Sequence, residues 1–257
     1  MDSTLEFTKQ KVSQTMLTTD PWDYMYVENF LPQEFYDKLN KETLSMIDHN
    51  LRKDNPARRR VCLYDSRNHP NEEKSMELNI KKGWIDPKRI PSRTLSKEFC
   101  NIFLNKDLQD LLLLKFKNSG RCSERPQPKP ENMYATYDIQ TPGYKYHIHA
   151  DSGQKIFSIL LYLADEGDDE NLGTRLYPSF TKPPHLDFHK DLVKIAPYKP
   201  NSLFLFSRIN EGWYDDDGVF HRKCSNHAMT NPKTSQVLRR SIQVNLIDPL
   251  YKKRADQ

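Results

Sequence analysis

The sequence is poor in glycine and in long apolar runs, and each shortage excludes a class of protein. Only 8 of its 257 residues are glycine, which excludes collagen-like and glycine-rich low-complexity chains. The best apolar run, Phe157–Ala164, is far shorter than the ~20 residues that cross a bilayer. Residues 1–20 contain no apolar core of a secretory signal. We therefore expect a protein with no membrane span and no membrane partner.

The four cysteines lack close spacing: Cys62, Cys100, Cys122 and Cys224 include no CxxC pair. Zinc ribbons and thioredoxin-like sites use such pairs, so neither is expected. Free thiols are typical of a reducing compartment, which favours a cytoplasmic location. An excess of one charge is missing too, because 39 Lys+Arg nearly balance 35 Asp+Glu. This balance does not favour a nucleic-acid partner.

What the chain does have is 11% aromatic residues, enough to build a core, in two halves of different pattern. Residues 1–20 predict a polar arm that can include a short helix. Pro21–Phe30 predicts a strand, and an amphipathic helix follows from about Pro32. A second helical block is predicted over Leu95–Phe116, with a break near Asn105. Between these helices, residues 50–93 predict no clear structure.

After a proline-rich segment at Arg121–Glu131, which predicts an extended linker, the pattern changes to short strands. Turn residues separate the strands at short intervals, as in a sandwich, barrel or jelly roll. The predicted strands are 132–140, 144–151, 155–165, 172–177, 192–195, 202–206, 219–229 and 238–247. The sequence thus predicts one domain over residues 21–257. It has a helical half at 21–130 and an all-β half at 131–250, where we expect the functional site.

The strongest local signal is the HxD triplet of His149 and Asp151. On a strand, residues i and i+2 point to one face, so an imidazole and a carboxylate converge. A histidine from a later strand, such as His227, would complete a triad of two histidines and one carboxylate. That facial triad leaves open positions on a metal and is characteristic of non-haem Fe(II) oxygenases. The triplet alone is a weak signal, because HxD occurs by chance in many chains.

Taken with the downstream segments, the triplet resembles the 2-oxoglutarate- and Fe(II)-dependent dioxygenases, in particular their prolyl-4-hydroxylase-like branch. That family combines HxD, a distal histidine and a later basic residue, often as RxS. Here the RxS is Arg239-Arg240-Ser241. Ile159–Leu163, Gly173–Tyr177 and Pro200–Phe206 stand in the order of the corresponding family segments. The resemblance extends over about residues 21–249.

The resemblance implies a mainly β fold: a double-stranded β-helix (jelly-roll, cupin-like) core with the N-terminal helices packed on the major sheet. It implies an Fe(II) site made by His149, Asp151 and His227. His221 is the alternative distal ligand. His227 is preferred because it lies nearer Arg239 and because the residues after it are more similar to the family's strand. By the same resemblance, the carboxylate of Asp151 favours hydroxylation over halogenation.

The resemblance also implies a site for the cosubstrate 2-oxoglutarate. Arg239 is expected to bind its distal carboxylate, helped by Tyr162 and Ser241. Arginine suits this task because its planar guanidinium pairs with a carboxylate through two hydrogen bonds. Strand alternation puts Arg239 and Ser241 on one face and Arg240 on the other. Arg240 is the alternative carboxylate ligand.

The implied activity is hydroxylation of an unactivated C–H bond with O2, with release of succinate and CO2. Ascorbate is an accessory reductant that the resemblance also implies. The substrate favoured by the prolyl-4-hydroxylase-like motifs is a prolyl or other amino-acid side chain in a peptide or protein. A free amino acid or small metabolite is the alternative, and a non-catalytic jelly-roll binding module is an alternative of another class. The sequence does not specify the oligomeric state.

Overall fold

A computed structural model describes the backbone of residues 2–45, 58–65, 94–124, 127–142, 147–181, 185–214, 220–230 and 238–248. It does not describe the side chains of residues 2, 58–62, 65, 210–214 and 220–222. Most of the unassigned segment 50–93, the start of the predicted strand 144–151 and the side chain of His221 therefore lie outside the description.

Four α-helices form in the described part of the chain. They are α1 at Asp2–Gln14, α2 at Gln33–Ser45, α3 at Thr94–Leu104 and α4 at Lys106–Lys115. The predicted break in the second helical block is confirmed at Asn105. The side chain of Asn105 accepts a hydrogen bond from the Leu108 N–H and so caps the N-terminus of α4.

Eleven strands form in the described residues. They are β1 Tyr24–Val27, β2 Arg58–Asp65, β3 Asn132–Gln140, β4 Lys155–Tyr162, β5 Thr174–Leu176, β6 Lys194–Ala196, β7 Ser202–Ser207, β8 Asn210–Tyr214, β9 Phe220–Cys224, β10 His227–Met229 and β11 Arg239–Ile247. The single strand predicted over 219–229 is wrong, because Ser225 and Asn226 separate β9 from β10. The Ser225 side chain bonds to the backbone of Ile209, and the Asn226 side chain bonds to the backbone of residues 178 and 181.

The strands form an antiparallel major sheet, a minor sheet and a hairpin. The major sheet has the order β1-β7-β4-β11-β3-β2, the minor sheet has the order β10-β5-β6, and β8 pairs with β9. Strands distant in sequence are neighbours, as in a jelly roll. The predicted double-stranded β-helix with helices on its major sheet is confirmed.

The two faces of the major sheet pack against different partners. On β11, Ile242, Val244 and Leu246 point outward into an apolar cluster that also contains Phe99 and Phe103 of α3. This cluster holds the helices on the sheet. On the inner face, side chains such as Leu160, Tyr162 and Phe206 pack towards Leu176, Ala196 and Met229 of the minor sheet. The core therefore has two layers, with the major sheet between them.

The N-terminal segment, expected to be a polar arm, forms the helix α1. Its Val12 is buried in the outer apolar cluster. At its C-terminal end, Lys115 of α4 donates to the carbonyls of Ser13 and Thr15. A cation at this position satisfies carbonyls that the helix leaves without partners. None of the described helices is both long and apolar enough to cross a membrane.

The extended linker predicted from Arg121 is wrong at its start, where Gly120–Ser123 forms a 3-10 helix. Arg121 is buried and donates to Asp248 at 2.7 Å and to Glu124. Gly120 has a φ of +48° and lies against the Arg208 carbonyl, where a side chain would collide. The ion pair between residues 121 and 248 is formed across the fold, so the local sequence gives no sign of it.

Candidate metal centre

Two of the predicted ligands are joined by their own backbones. His149 and His227 form an isolated antiparallel bridge, in which each backbone N–H donates to the other's carbonyl at 3.0 and 2.9 Å. The two imidazole centroids lie 4.3 Å apart. His227 is the first residue of β10, so the minor sheet fixes its position. The bridge therefore brings together histidines that are distant in sequence.

Asp151 completes the group. Its Oδ1 is 3.9 Å from His149 Nε2, and its Oδ2 is 4.0 Å from His227 Nε2. One ligand atom from each of the three residues lies within 4.8 Å of the others. Among the described residues, no other group of three His, Cys, Asp or Glu side chains has this arrangement. The three side chains point at a common centre.

Of the predicted strand 144–151, the described residues 147–151 contain only the single bridge at His149, and Asp151 lies in the loop before β4. Three contacts fix Asp151 in that loop. Lys155 Nζ donates to Oδ1 at 2.6 Å, and Ser158 Oγ donates to Oδ2 at 2.5 Å. Arg208 Nε donates to the Asp151 carbonyl at 2.7 Å. The carboxylate is therefore oriented by its neighbours rather than by strand geometry.

The protonation states suit a metal. Burial, with a further contribution from His227, lowers the pKa of His149 to about 3. Burial also lowers the pKa of His227. Burial alone would raise the pKa of Asp151, but the Lys155 ammonium, His227 and the hydrogen bonds from Lys155 and Ser158 bring that pKa below its usual range. At neutral pH the site thus presents two neutral imidazoles and a carboxylate, the forms that bind metal ions.

A cavity of about 220 Å³ opens beside this group, between the inner face of the major sheet and the minor sheet. Its wall combines charged and polar side chains with the apolar side chains of Leu160, Phe206 and Met229. The lining residues are Tyr134, His149, Asp151, Ser152, Lys155, Ser158, Leu160, Thr174, Phe206, His227, Met229 and Gln243. The cavity is therefore a place where a small ligand could meet the metal centre.

Arg239 lies beyond Thr174 and Met229, and its side chain is fully buried. Its Nε donates to the Leu172 carbonyl at 2.6 Å. The other contacts are long: Nη1 is 3.7 Å from Met229 Sδ and Nη2 is 3.5 Å from Thr174 Oγ1. No carboxylate of the described residues pairs with this guanidinium. A buried cation without a counter-ion is costly, so the arrangement favours an anionic ligand.

Tyr162 and Ser241 are neighbours of Arg239 on the inner face, where the register pairs them across β4 and β11. The Tyr162 ring centroid is 5.3 Å from Arg239 Cζ. Its hydroxyl donates to Thr174 Oγ1 at 2.7 Å and accepts from the Thr174 N–H at 3.1 Å. The buried Ser241 Oγ has no hydrogen-bond partner among the described residues, which leaves it available to a ligand.

Arg240, the alternative to Arg239, points to the opposite face. Its Nη2 pairs with Asp165 at 2.7 Å and its Nη1 donates to Asn40 of α2 at 2.8 Å. Both contacts join the helical layer to the sheet. Arg240 therefore already has its counter-ion, on the side away from the cavity.

Sequence reasoning missed Lys155, Ser158, Thr174 and Met229, all of which line the cavity. For Lys155 and Ser158 the sequence does contain a signal. They are polar residues within a strand that is buried along its whole length, and buried charged residues are rare without a partner. The roles of Thr174 and Met229 had no such signal, because both depend on the pairing of β5 with β10.

The sequence matches no protein-family model and no curated protein sequence. Among solved structures it is similar to a prolyl-4-hydroxylase of Pseudomonas putida, with 12% identity, a TM-score of 0.42 and coverage of 95% of this chain and 98% of that one. It is also similar to the dioxygenase for auxin oxidation 1 of Arabidopsis thaliana, in complex with 2-oxoglutarate, with 14% identity, a TM-score of 0.48 and coverage of 94% and 88%. A third similar structure is that of a full-length Neurospora crassa protein in complex with alpha-KG. Its identity to this chain is 11%, the TM-score is 0.47, and the match covers 95% of this chain and 80% of that one. Identities and TM-scores are low, so the chemistry assigned to this chain rests on its own residues.

Proposed function

We propose that this protein is an Fe(II)- and 2-oxoglutarate-dependent dioxygenase that hydroxylates an unactivated C–H bond. The observation that carries the proposal is the combination of two sites between the major and the minor sheet. A two-histidine, one-carboxylate group lies beside the cavity, and the buried Arg239, which no described carboxylate pairs with, lies behind Thr174 and Met229 of the cavity wall. A metal site alone needs no such arginine, and an anion site alone needs no such triad.

His149, Asp151 and His227 are the residues that would hold the iron. Two neutral imidazoles and one carboxylate are a donor set that Fe(II) accepts while keeping open positions. When bound, the iron supplies the activation of O2 that no amino-acid side chain provides. The role of the protein is to hold the three donor side chains in place before the ion binds. The backbone bridge between the histidines and the contacts of Lys155 and Ser158 with Asp151 support that role.

Arg239 would bind the distal carboxylate of 2-oxoglutarate. A guanidinium with two weakly used N–H groups is suited to a bidentate carboxylate. The Ser241 Oγ, unpartnered among the described residues, supplies a further donor, and Tyr162 fixes Thr174 beside them. Leu160, Phe206 and Met229 give the cavity an apolar wall, which excludes water and strengthens these electrostatic contacts. The same contacts hold the oxoacid in one orientation towards the metal centre.

The products would be the hydroxylated substrate, succinate and CO2. The substrate is proposed to be a prolyl or other amino-acid side chain in a peptide or protein, in line with the resemblance of the motifs to the prolyl-4-hydroxylase-like branch. A free amino acid or other small metabolite is the second candidate, and the cavity volume of about 220 Å³, which suits small ligands, favours it.

The decisive experiment is an anaerobic titration of the Fe(II)-loaded protein with 2-oxoglutarate. We expect the weak visible charge-transfer band that forms when an oxoacid chelates Fe(II). The matched variant Arg239→Met should need much more 2-oxoglutarate for the same band. Absence of the band in the wild-type protein would refute the proposal. A metal-loaded protein that consumes no 2-oxoglutarate with any substrate in a peptide and metabolite library would be a binding module instead.

A further inference from the structure

Residues 151–154, which we call the ligand loop, connect the candidate metal ligand Asp151 to strand β4 without regular secondary structure of their own. The backbone carbonyls of such a segment need partners from elsewhere in the fold. All four carbonyls of the ligand loop accept a hydrogen bond. In chain order the donors are Arg208 Nε at 2.7 Å, the Lys155 N–H at 3.2 Å, Arg121 Nη1 at 2.5 Å and the Asp248 N–H at 2.9 Å. Three of these four donors are distant in sequence, so the surrounding fold fixes the backbone of the loop.

Arg121 joins the ligand loop to Asp248, the residue that follows β11. Its side chain is only 2% exposed, and all three of its nitrogens donate hydrogen bonds. Nη1 donates to the Gly153 carbonyl, and Nη2 donates to Asp248 Oδ2 at 2.7 Å. Nε and Nη2 pair with the two carboxylate oxygens of Glu124 at 2.9 and 3.0 Å. Only a planar guanidinium presents donors in these fixed directions at once, which a lysine ammonium does not.

The second arginine that binds the ligand loop, Arg208, is joined to Arg121 through the backbone. The Arg121 N–H donates to the Arg208 carbonyl at 2.9 Å, and the Arg208 N–H donates to the Ile156 carbonyl of β4 at 3.1 Å. The chain before Arg121 comes so close to Arg208 that a side chain at Gly120 would collide with the same carbonyl. The two arginines therefore form one unit, which binds the loop at two points, two residues apart.

The backbone of the ligand loop decides where the Asp151 carboxylate points. His149 and His227 are held by their mutual backbone bridge, whereas Asp151 lies in the loop. Ordering a loop costs conformational entropy, which would otherwise be lost when the metal ion binds. We propose that Arg121 is a positioning residue of the metal centre, which holds the ligand loop so that Asp151 faces the two histidines before the ion binds. This rests on the metal centre of the proposed function and adds to it a residue that acts through the loop backbone.

The test is a Co(II) titration of the metal-free protein, because the visible absorption of bound Co(II) reports both its affinity and its coordination. Arg121→Met keeps an unbranched side chain and removes all the hydrogen bonds of the guanidinium. We expect the Kd for Co(II) to rise about tenfold or more, as is typical when a group that orients a metal ligand is lost, and the absorption spectrum to change. Arg121→Lys, which keeps the charge beside Asp248 but not the fixed set of donors, should recover part of the affinity.

Arg240→Met is the matched control. Arg240 is also a buried arginine with an aspartate partner, Asp165 at 2.7 Å, but it lies on the helical side of the major sheet. Its loss should lower the stability of the fold and leave the affinity and the spectrum of Co(II) unchanged. Circular dichroism verifies that each variant is folded before the titration. If Arg121→Met does not fold, Asp248→Asn takes its place, because it removes the counter-ion of Arg121 and should also raise the Kd for Co(II).

The outcomes separate the positioning role from the function on which it rests. Wild-type affinity and spectrum in a folded Arg121→Met protein, or in Asp248→Asn if that variant takes its place, would overturn the positioning role alone. An equal loss of affinity in Arg240→Met would do the same. Failure of the wild-type protein to bind Co(II) would overturn the metal centre. Co(II) binding by a wild-type protein that forms no complex with 2-oxoglutarate would overturn the dioxygenase proposal and leave the role of Arg121 intact.

Discussion

The two faces of the major sheet are made by the same strands but have opposite character. On β11, the outward residues Ile242, Val244 and Leu246 join the helices in an apolar cluster. The inward residues Arg239 and Ser241 lie at the candidate carboxylate site. The outer face is mostly apolar, whereas the inner face carries several buried side-chain atoms without a hydrogen-bond partner among the described residues, such as Thr136 Oγ1 and Ser241 Oγ. Stability is thus concentrated on one face, and binding capacity on the other.

The largest effect should come from removing the carboxylate of Asp151, which lines the cavity on the inner side of the major sheet. Asp151→Ala deletes the one anionic donor of the candidate metal centre, and we expect substrate-dependent succinate formation to fall at least about 1000-fold, as is typical when a group central to catalysis is lost. Metal titration and succinate release measure this directly. Asp110→Ala, on the exposed surface of α4, is the control. A fully active Asp151→Ala enzyme would remove Asp151 from the ligand set.

A substitution on the outer face should instead lower the stability of the fold. Phe99→Ala opens a cavity beneath the helices, where the ring packs on Phe103 at 5.3 Å. We expect the free energy of unfolding to fall by about 3–5 kcal/mol, since large-to-small changes in a core cost this much. Urea unfolding measures the loss, and Leu114→Ala, 63% exposed, is the control with little effect. If metal affinity fell as much in Phe99→Ala as in Asp151→Ala, the assignment of stability to the outer face and of binding to the inner face would be wrong.

Arg239→Met should weaken the binding of 2-oxoglutarate while leaving the stability of the fold almost unchanged. The change removes a buried cation that has no carboxylate partner among the described residues, so we expect a free energy of unfolding within about 1 kcal/mol of the wild type. The 2-oxoglutarate concentration for half-maximal activity should rise about 100-fold, equivalent to ~2.7 kcal/mol. Denaturation curves and cosubstrate titrations provide the two measurements. In Arg240→Met, by contrast, stability should fall, because Asp165 and Asn40 lose their partner.

The smallest effect is a pH dependence of the metal-free protein. Unfolded His149 has an ordinary pKa near 6.5, and burial lowers its folded pKa to about 3. Between these values the unfolded chain binds more protons, so the free energy of unfolding falls as the pH falls through this window. The slope is up to ~1.4 kcal/mol per pH unit for one group. Urea unfolding at several pH values gives the free energy of unfolding as a function of pH. The slope of that dependence should be shallower for His149→Gln than for the control His189→Gln, whose site is exposed. Equal slopes would mean that His149 does not take up a proton on unfolding.

The sequence predicted the parts of the fold that local patterns determine. Alternation along β11 assigned its two faces, and the polar Asn105 marked the break between α3 and α4. Prediction failed where a distant partner decides the structure. Arg121 was assigned to a linker, but it is buried because Asp248 supplies its counter-ion. A local window contains one member of such a pair and cannot show the other.

The candidate site likewise combines features that a local pattern predicts with features that distant partners decide. HxD identified His149 and Asp151 as a pair, although the reason given, a shared strand face, is not how they converge. Their geometry comes from the bridge to His227 and from the side chains that hold the Asp151 carboxylate. Lys155 was missed because a lysine at the start of a strand normally points to solvent. Only the fold shows that this one faces a cavity.

One feature of the topology bears on biosynthesis. Strand β11 lies between β4 and β3 in the middle of the major sheet, yet it is the last of the described strands to leave the ribosome. Until residue 247 is made, β3 and β4 each have an unpaired edge, and such edges promote aggregation. The candidate metal centre also depends on late synthesis, because His227 must be made before His149 has its backbone partner. Nascent chains that stall before β11 should therefore depend on chaperones, and those that stall before His227 should also lack one of the three candidate metal ligands.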